Sequence, residues 1–252
     1  MNKRILILGA SGGIGRVAAR YFIDNGWEVL GSYLGVKIDD ALLKEQKFKE
    51  IELDVTDEKA LGDLSNNLGE VDAIFNCTGV IDFESYNNKE SNISIWRKTI
   101  EVNLTGAYLV FEYLVSNIKQ GGSYIMMSST DSHFGGKVNR AYSVSKAGVN
   151  SLTKGLALLV DDSGVRVNSI AAGWVETAMM EAGGDELVDY AKSINPLNRN
   201  GSPLDVAQLV EFLAGPNSSY INGQTINLDG GYTLQDPTLV FEEQQINNKK
   251  LG

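Results

Sequence analysis

Apolar and polar positions along the chain fall into two alternating patterns. Short, nearly continuous apolar runs occupy residues 4–8, 27–32, 48–53, 71–75, 123–127, 165–170 and 225–228. Runs of this length without a clean polar period are expected of strands buried on both faces of a parallel sheet. Between them, apolar positions recur at helical spacing over residues 14–25, 39–46, 56–68, 94–118, 140–160 and 203–214. Asp39 or Asp40 is placed to cap the second of these helices, and Thr56 or Asp57 the third. Residues 175–193 read as a mobile, partly helical segment. Strands alternating with helices at this spacing predict right-handed βαβ units and one doubly wound α/β domain, its seven-stranded, mostly parallel sheet covered on both faces. That domain is expected to span residues 1–232. Residues 233–252 are expected to form a partly disordered tail, with Leu239-Val240-Phe241 packing on a neighbouring subunit.

In such a sheet ligands sit beyond the carboxyl ends of the strands. Gly9, Asn76, Ser129 and Ala172-Gly173 all fall at those ends. The first strand runs into Gly9-Ala10-Ser11-Gly12-Gly13-Ile14-Gly15. Glycines 9, 13 and 15 permit a tight turn, close approach of backbone to an anion, and tight packing of helix on sheet. The helix N-terminus then offers free N–H groups and a positive dipole end to a pyrophosphate, a Rossmann-type arrangement. In the helix over residues 140–160, Tyr142 and Lys146 stand four apart and share one face. A phenol titrating near ~10 transfers protons poorly at neutral pH, and a neighbouring positive charge lowers that value. Ser129 ends the fifth strand, where its hydroxyl can meet the same substrate oxygen as the phenol.

Composition narrows the function classes. At 252 residues and 43% apolar, the chain can bury a large core in one domain. A net charge of −10 without a basic cluster argues against nucleic acid or an anionic membrane as a partner. Cys77 is the single cysteine, so no internal disulfide forms, and no zinc-ligand cluster or other metal site is expected. Lys3-Arg4 precedes an apolar run too short for a signal peptide, and no run approaches the ~20 apolar residues of a membrane span. A cytoplasmic protein is expected.

Taken in order, Gly9–Gly15, Leu53-Asp54-Val55, Asn76-Cys77-Thr78-Gly79, Val102-Asn103-Leu104, Ser129, Tyr142-x-x-x-Lys146, Arg166-Val167-Asn168-Ser169-Ile170 and Asp229-Gly230-Gly231 resemble the short-chain dehydrogenase/reductase family over residues 3–232. The resemblance implies a hydride-transferring oxidoreductase with Tyr142 as general acid/base and Ser129 bonded to the substrate oxygen. It implies that Lys146 holds the nicotinamide ribose and depresses the tyrosine pKa, and that Asn103 interrupts its helix and holds a relay water. The cofactor would lie along Gly9, Ser11, Gly12, Gly13, Ile14 and Gly15. Ser32, Tyr33, Asp54 and Val55 would border its adenosine end. Asn76 and Gly79 would support the cleft, with Gly173, Val175 and Thr177 near the carboxamide and phosphates. Three positions depart from the family's usual residues: Ala172 stands for Pro, Cys77 for Asn and Thr78 for Ala.

The cofactor expectation is NADP(H) over NAD(H). A carboxylate at the end of the second strand would pair with a ribose 2′-OH and repel a 2′-phosphate. Ser32 and Tyr33 stand there, while Asp39 and Asp40 come too late and read as helix caps. Ser32 is free to donate to the phosphate, with Arg16 or Lys37 near it; Gly12, where many NADP-preferring members carry a base, counts the other way. Asp131, His133 and Trp174 are the candidate substrate residues, in a pocket expected to be polar with aromatic walls. Met179, Met180 and Glu181 begin the segment that in this family closes as a lid. A polar ketone or secondary alcohol is the expected small-molecule substrate. The alternatives are 3-oxoacyl-(acyl-carrier-protein) reduction and, in another class, a catalytically silent nucleotide-binding regulator. Carrier-protein reductases dock their acidic partner through arginines, and the matching positions here are Gln120 and Ser163. The resemblance, with an apolar outer stripe on the Asn103 and Tyr142 helices, predicts a homo-oligomer, a tetramer.

Overall fold

A computed structural model describes residues 3–160 and 163–234. Seven strands, β1 (Arg4–Leu8), β2 (Glu28–Tyr33), β3 (Phe48–Glu52), β4 (Val71–Asn76), β5 (Ile118–Ser129), β6 (Arg166–Ala172) and β7 (Thr225–Leu228), form one parallel sheet in the order β3-β2-β1-β4-β5-β6-β7. Their side chains alternate between two cores. Ile5 and Ile7 join Phe22, Trp27, Phe75, Ile125 and Val210 on one face. Leu6 and Leu8 join Leu61, Leu64, Phe111, Leu114 and Tyr124 on the other. Both faces are covered, so the strands carry continuous rather than alternating apolar runs. Chain order reverses between β1 and β4, which opens a crevice at the carboxyl ends of those strands.

Helices α1 (Gly13–Asp24) and α9 (Pro203–Ala214) cover the first face. On the second lie α3 (Glu58–Leu68), α5 (Gly106–Leu114) and α6 (Arg140–Ala157). Asp39 and Asp57 are the caps, accepting from Ala41 N at 2.7 Å and Ala60 N at 3.0 Å. The helix after Asp39 shrinks to α2 (Asp40–Leu43).

The single helix expected over residues 94–118 is four pieces: α4 (Lys89–Ile100), a π-helical turn (Glu101–Thr105), α5 and a 3₁₀ turn (Val115–Asn117). Its end is earlier than expected because Asn117 donates from Nδ2 to the Ser65 and Gly69 carbonyls, at 3.0 and 3.1 Å, tying the chain to the end of α3. Ile118 then pairs with Val71, and an irregularity follows before Ser123 resumes the ladder opposite Ala73. The segment after β6 holds two helices, α7 (Ala178–Glu181) and α8 (Asp185–Ser193). Thr233 is still bonded to the fold, its hydroxyl donating to Asp229 Oδ2 at 2.6 Å; Leu239-Val240-Phe241 lies outside the described residues. No helix among the described residues is long and apolar enough to cross a membrane.

Candidate active site

The carboxyl ends of β4, β5 and β6, with Ile14 of α1, border a cleft of about 470 Å³. Ser129, Tyr142 and Lys146 all line it, together with Gly79, Gly173, Val175 and Thr177. Ser129 closes β5, and its neighbour Ser128 fastens that strand to α6 by donating to Asn150 Oδ1 at 2.6 Å. The Ser129 side chain lies near enough to the Tyr142 phenol to favour its ionised form, and its hydroxyl accepts from Asp131 N at 3.1 Å. Lys146 is buried one turn further along α6, its Nζ donating to the Met127 carbonyl at 2.8 Å and lying 5.6 Å from the centre of the Tyr142 ring.

Burial pushes the Tyr142 phenol up to about 12; the nearby Ser129 hydroxyl opposes this and the Asp131 charge adds to it. Burial likewise brings the Lys146 amine down to about 8. In both groups desolvation favours the neutral form.

Asn103 sits in the π turn, a distortion common at functional sites. Its Oδ1 accepts from Val80 N at 2.8 Å; its Nδ2 donates to Val80 O at 2.9 Å and Ser145 Oγ at 3.1 Å. The side chain thus binds the loop after β4 to the helix of Tyr142. Asn76 supports the same loop, accepting from Thr78 N and Oγ1 at 3.1 and 2.6 Å and donating to Tyr124 Oη at 3.3 Å. Thr78 therefore adds a bond through its hydroxyl. Cys77 lines the cleft with its thiol bonded to the Leu8 carbonyl at 2.9 Å, and burial pushes that thiol up to about 12.

The glycine turn fits a dinucleotide pyrophosphate. Helix α1 begins after Gly12 without a side-chain cap or an acidic residue in its first turn, so its N–H groups are open to an anion. Gly9 holds a φ of +85°, a methyl group on Gly15 would collide with the Gly9 carbonyl, and one on Gly13 would come within 2.9 Å of the Thr177 side chain. Ser11, Gly12, Gly13 and Ile14 remain at least partly exposed around this turn. Ile14 alone of this turn lines the cleft.

Several expected contacts are corrected. Ser32 is 1% exposed and its Oγ accepts from Gly9 N at 3.1 Å, so it braces the turn and is too deep to meet a phosphate. Tyr33 is the partly exposed residue at that strand end. Arg16 lies 3.6 Å from Asp39, which already serves as a cap. Val55 is buried against Gly106, and Asp54 accepts from Thr56 N and Oγ1 at 2.9 and 2.7 Å.

Of the substrate candidates, Asp131 and Trp174 line the cleft and His133 does not. The short 3₁₀ turn Thr130–His133 carries the exposed imidazole away, and its Nε2 lies 3.0 Å from Asn227 Oδ1 beside β7. The walls are more apolar than expected: Ile81, Phe83, Met179, Met180 and Leu187 face the opening. Sequence reasoning missed Phe83, Asn139, Glu84 and Tyr232. Glu84 is buried at the start of α6, and Tyr232 packs edge-on against Phe134, with the Asp131 charge near enough, after burial, to raise its pKa. Phe83 and Asn139 line the cleft while Glu84 and Tyr232 do not; all four meet the site through folding, and no local spacing signals it.

A parallel sheet with an anion-binding turn and a Ser-Tyr-Lys cluster in one crevice defines a nucleotide-dependent oxidoreductase. Comparison with known proteins agrees. The family profile described as enoyl-(acyl carrier protein) reductase matches residues 9–233, and the chain belongs to the short-chain dehydrogenase/reductase family. A 3-oxoacyl-[acyl-carrier-protein] reductase from Thermotoga maritima is 34% identical over 92% of this chain and 98% of its own length. The aldohexose dehydrogenase of Thermoplasma acidophilum superimposes with a TM-score of 0.83 at 28% identity, covering 94% of this chain and 96% of the other. A protein called BdcA, solved in complex with NADPH, gives a TM-score of 0.82 at 26% identity over 90% and 93% of the two chains.

Proposed function

We propose that the protein interconverts a neutral, hydroxylated ketone and its secondary alcohol, using NADP(H) in preference to NAD(H). The observation that carries this reading is the gathering of Ser129, Tyr142 and buried Lys146 in one cleft with Ile14, at the open N-terminus of α1. When bound, the nicotinamide supplies or accepts the hydride at the carbinol carbon. Ser129 and Tyr142 hydroxyls orient the substrate oxygen where negative charge develops. In reduction the Tyr142 proton passes to that oxygen; in oxidation the phenolate takes it back. A phenol keeps its proton at neutral pH and so has one to give in reduction. Asn103 fixes the loop over Lys146 and so keeps the ribose side of the cleft in register with Tyr142.

Among the described residues Lys146 and Asp131 are the only charged side chains lining the cleft, and Lys146 donates to the Met127 carbonyl. A phosphorylated or carboxylate substrate finds no arginine there, which favours a neutral one. The sugar-oxidising neighbour is consistent with such a substrate. The second reading, 3-oxoacyl-(acyl-carrier-protein) reduction, is favoured by the Thermotoga relative and by the apolar wall at Ile81, Phe83 and Met179. Against it stand Gln120 and Ser163 at the docking positions and a net charge of −10, which repels an acidic carrier. Following oxidation of NADPH and NADH against ketones, keto-sugars and 3-oxoacyl thioesters separates the two. Absence of turnover with all of them would leave the silent nucleotide-binding reading.

A homo-oligomer, most simply a tetramer in the cytoplasm, is part of the same proposal. Ile93 and Trp96 on α4, Tyr108 on α5 and Val144 on α6 are each 41–47% exposed, an apolar outer face on the helices flanking the site. Closed symmetry is the usual way such a face is covered. A monomeric mass by light scattering at micromolar concentration would refute it.

A further inference from the structure

Asp131 is a carboxylate standing two residues beyond the substrate-orienting serine, in a cleft whose other walls are largely apolar. Its surroundings account for only half of it. Oδ2 accepts from Asn139 Nδ2 at 2.7 Å, which fastens the loop between β5 and α6. Oδ1 accepts no hydrogen bond from any described residue, and the side chain is half-buried. Burial raises its pKa, against the pull of the Asn139 bond. A partly desolvated acceptor is costly unless a donor fills it. Asp131 lines the same cleft as Ser129 and Tyr142, and its backbone N–H donates to Ser129 Oγ at 3.1 Å, which sets the residue beside the reacting position.

We propose that Asp131 selects the substrate: its free carboxylate oxygen accepts a hydrogen bond from a hydroxyl on the carbon adjacent to the reacting carbonyl. The enzyme is then one for α-hydroxy ketones and the matching vicinal diols. This rests on the reading of the cleft as that of a ketone reductase. The neighbouring donor is a hydroxyl rather than an ammonium because Lys146 places a positive charge in the same small cleft. In the balanced reaction the hydride from the reduced nicotinamide forms the new C–H bond and the Tyr142 proton forms the O–H bond. The α-hydroxyl keeps its own proton throughout, donating it to Asp131 without transfer. A 3-oxoacyl thioester has no hydroxyl at that carbon and would leave the oxygen unpaired.

Two isosteric pairs test this: acetoin against 3-methyl-2-butanone, and 2-hydroxyacetophenone against propiophenone. In each pair a methyl group replaces the hydroxyl. The wild-type enzyme is expected to favour the hydroxy ketone in kcat/KM. Asp131→Asn still accepts from Asn139 but no longer presents a charged acceptor, and should cut that preference about 10- to 100-fold, the range of a charge-assisted hydrogen bond. Asp131→Leu, which also loses the loop contact, should cut it at least as far. Equal rates within each pair for the wild type, or a preference unchanged in Asp131→Asn, would overturn the role of Asp131 while leaving the reductase reading intact. No reduction of any of the four by the wild type would sink both.

Discussion

The Glu84 carboxylate accepts the backbone N–H of Arg140 at 2.6 Å, and so caps from a distant loop the helix that carries Tyr142 and Lys146. Ala141 N lies 3.4 Å from the other oxygen, the Arg140 Nε is 3.6 Å away, and Glu84 N donates to Val138 O at 2.7 Å. Asn139, the residue in the cap position, makes no side-chain cap bond of its own. A buried carboxylate here satisfies orphan N–H groups and meets the positive end of the helix dipole.

Removing it should therefore loosen the start of α6. Glu84→Ala is expected to lower stability by about 2–3 kcal/mol, the scale of a charge-assisted bond plus an uncapped helix. Glu84→Gln, which keeps an acceptor oxygen, should recover much of this in urea melts. Because the first turn of α6 holds Tyr142, kcat should fall more than cofactor KM rises. A Glu84→Ala protein as stable as the wild type would show that Asn139 or solvent caps the helix instead.

Glu84 also marks what the sequence hides. Strands were legible because burial on both faces leaves continuous apolar runs such as Ile5-Leu6-Ile7-Leu8. The glycine turn and the Tyr142–Lys146 pair were legible because their geometry is local. The Glu84 cap joins residues far apart in the chain, so no window of sequence contains it. His133 was misplaced for a different reason. Nearness to Ser129 suggested the cleft, but a 3₁₀ turn sends successive side chains to different sides; Asp131 faces the cleft while His133 reaches Asn227. Likewise Ser32 looked available because a strand-end position is known from spacing, whereas its burial under Gly9 depends on how the turn folds back.

Tyr142→Phe deletes the proton donor while keeping the ring. It should reduce kcat by several orders of magnitude and leave cofactor affinity, read by fluorescence titration, within a few-fold. Wild-type turnover in this variant would mean that another group, Asp131 or a water, protonates the substrate.

Burial of Lys146 sets a pH dependence of stability. Its folded pKa is about 8 against an ordinary 10.5. Between these values the unfolded chain binds a proton that the folded chain does not, so stability gained from this residue rises with pH across that window. It is complete above about 10.5 and lost as pH falls through about 8, a difference of about 3 kcal/mol. Lys146→Met, which buries the same stem without charge, should be flatter than the wild type from pH 7.5 to 10 in denaturant melts. Parallel curves for the two proteins would show that the amine stays solvated.

Cofactor choice turns on the carboxylate that has drawn Arg16 to itself. Arg16 and Asp39 are both substantially exposed and 3.6 Å apart, a weak pair worth at most about 1 kcal/mol. Arg16 lies in the first turn of α1, beside the glycine turn, where a 2′-phosphate would need a cation. Tyr33, at the end of β2, brings no charge of its own, although Glu50 and Glu52 on β3 are near enough to raise its pKa along with burial. Asp39→Ser keeps a good cap for Ala41 but removes the competing charge, so Arg16 is freed to meet a phosphate. The ratio of kcat/KM for NADPH over NADH should then rise several-fold, mostly through KM. Tyr33→Asp should move the ratio the opposite way, because a carboxylate at the strand end pairs with the ribose hydroxyls and repels the phosphate. If the wild type prefers NADH and Asp39→Ser weakens NADH, then Asp39 itself is the residue that reads the ribose, and its capping bond is secondary.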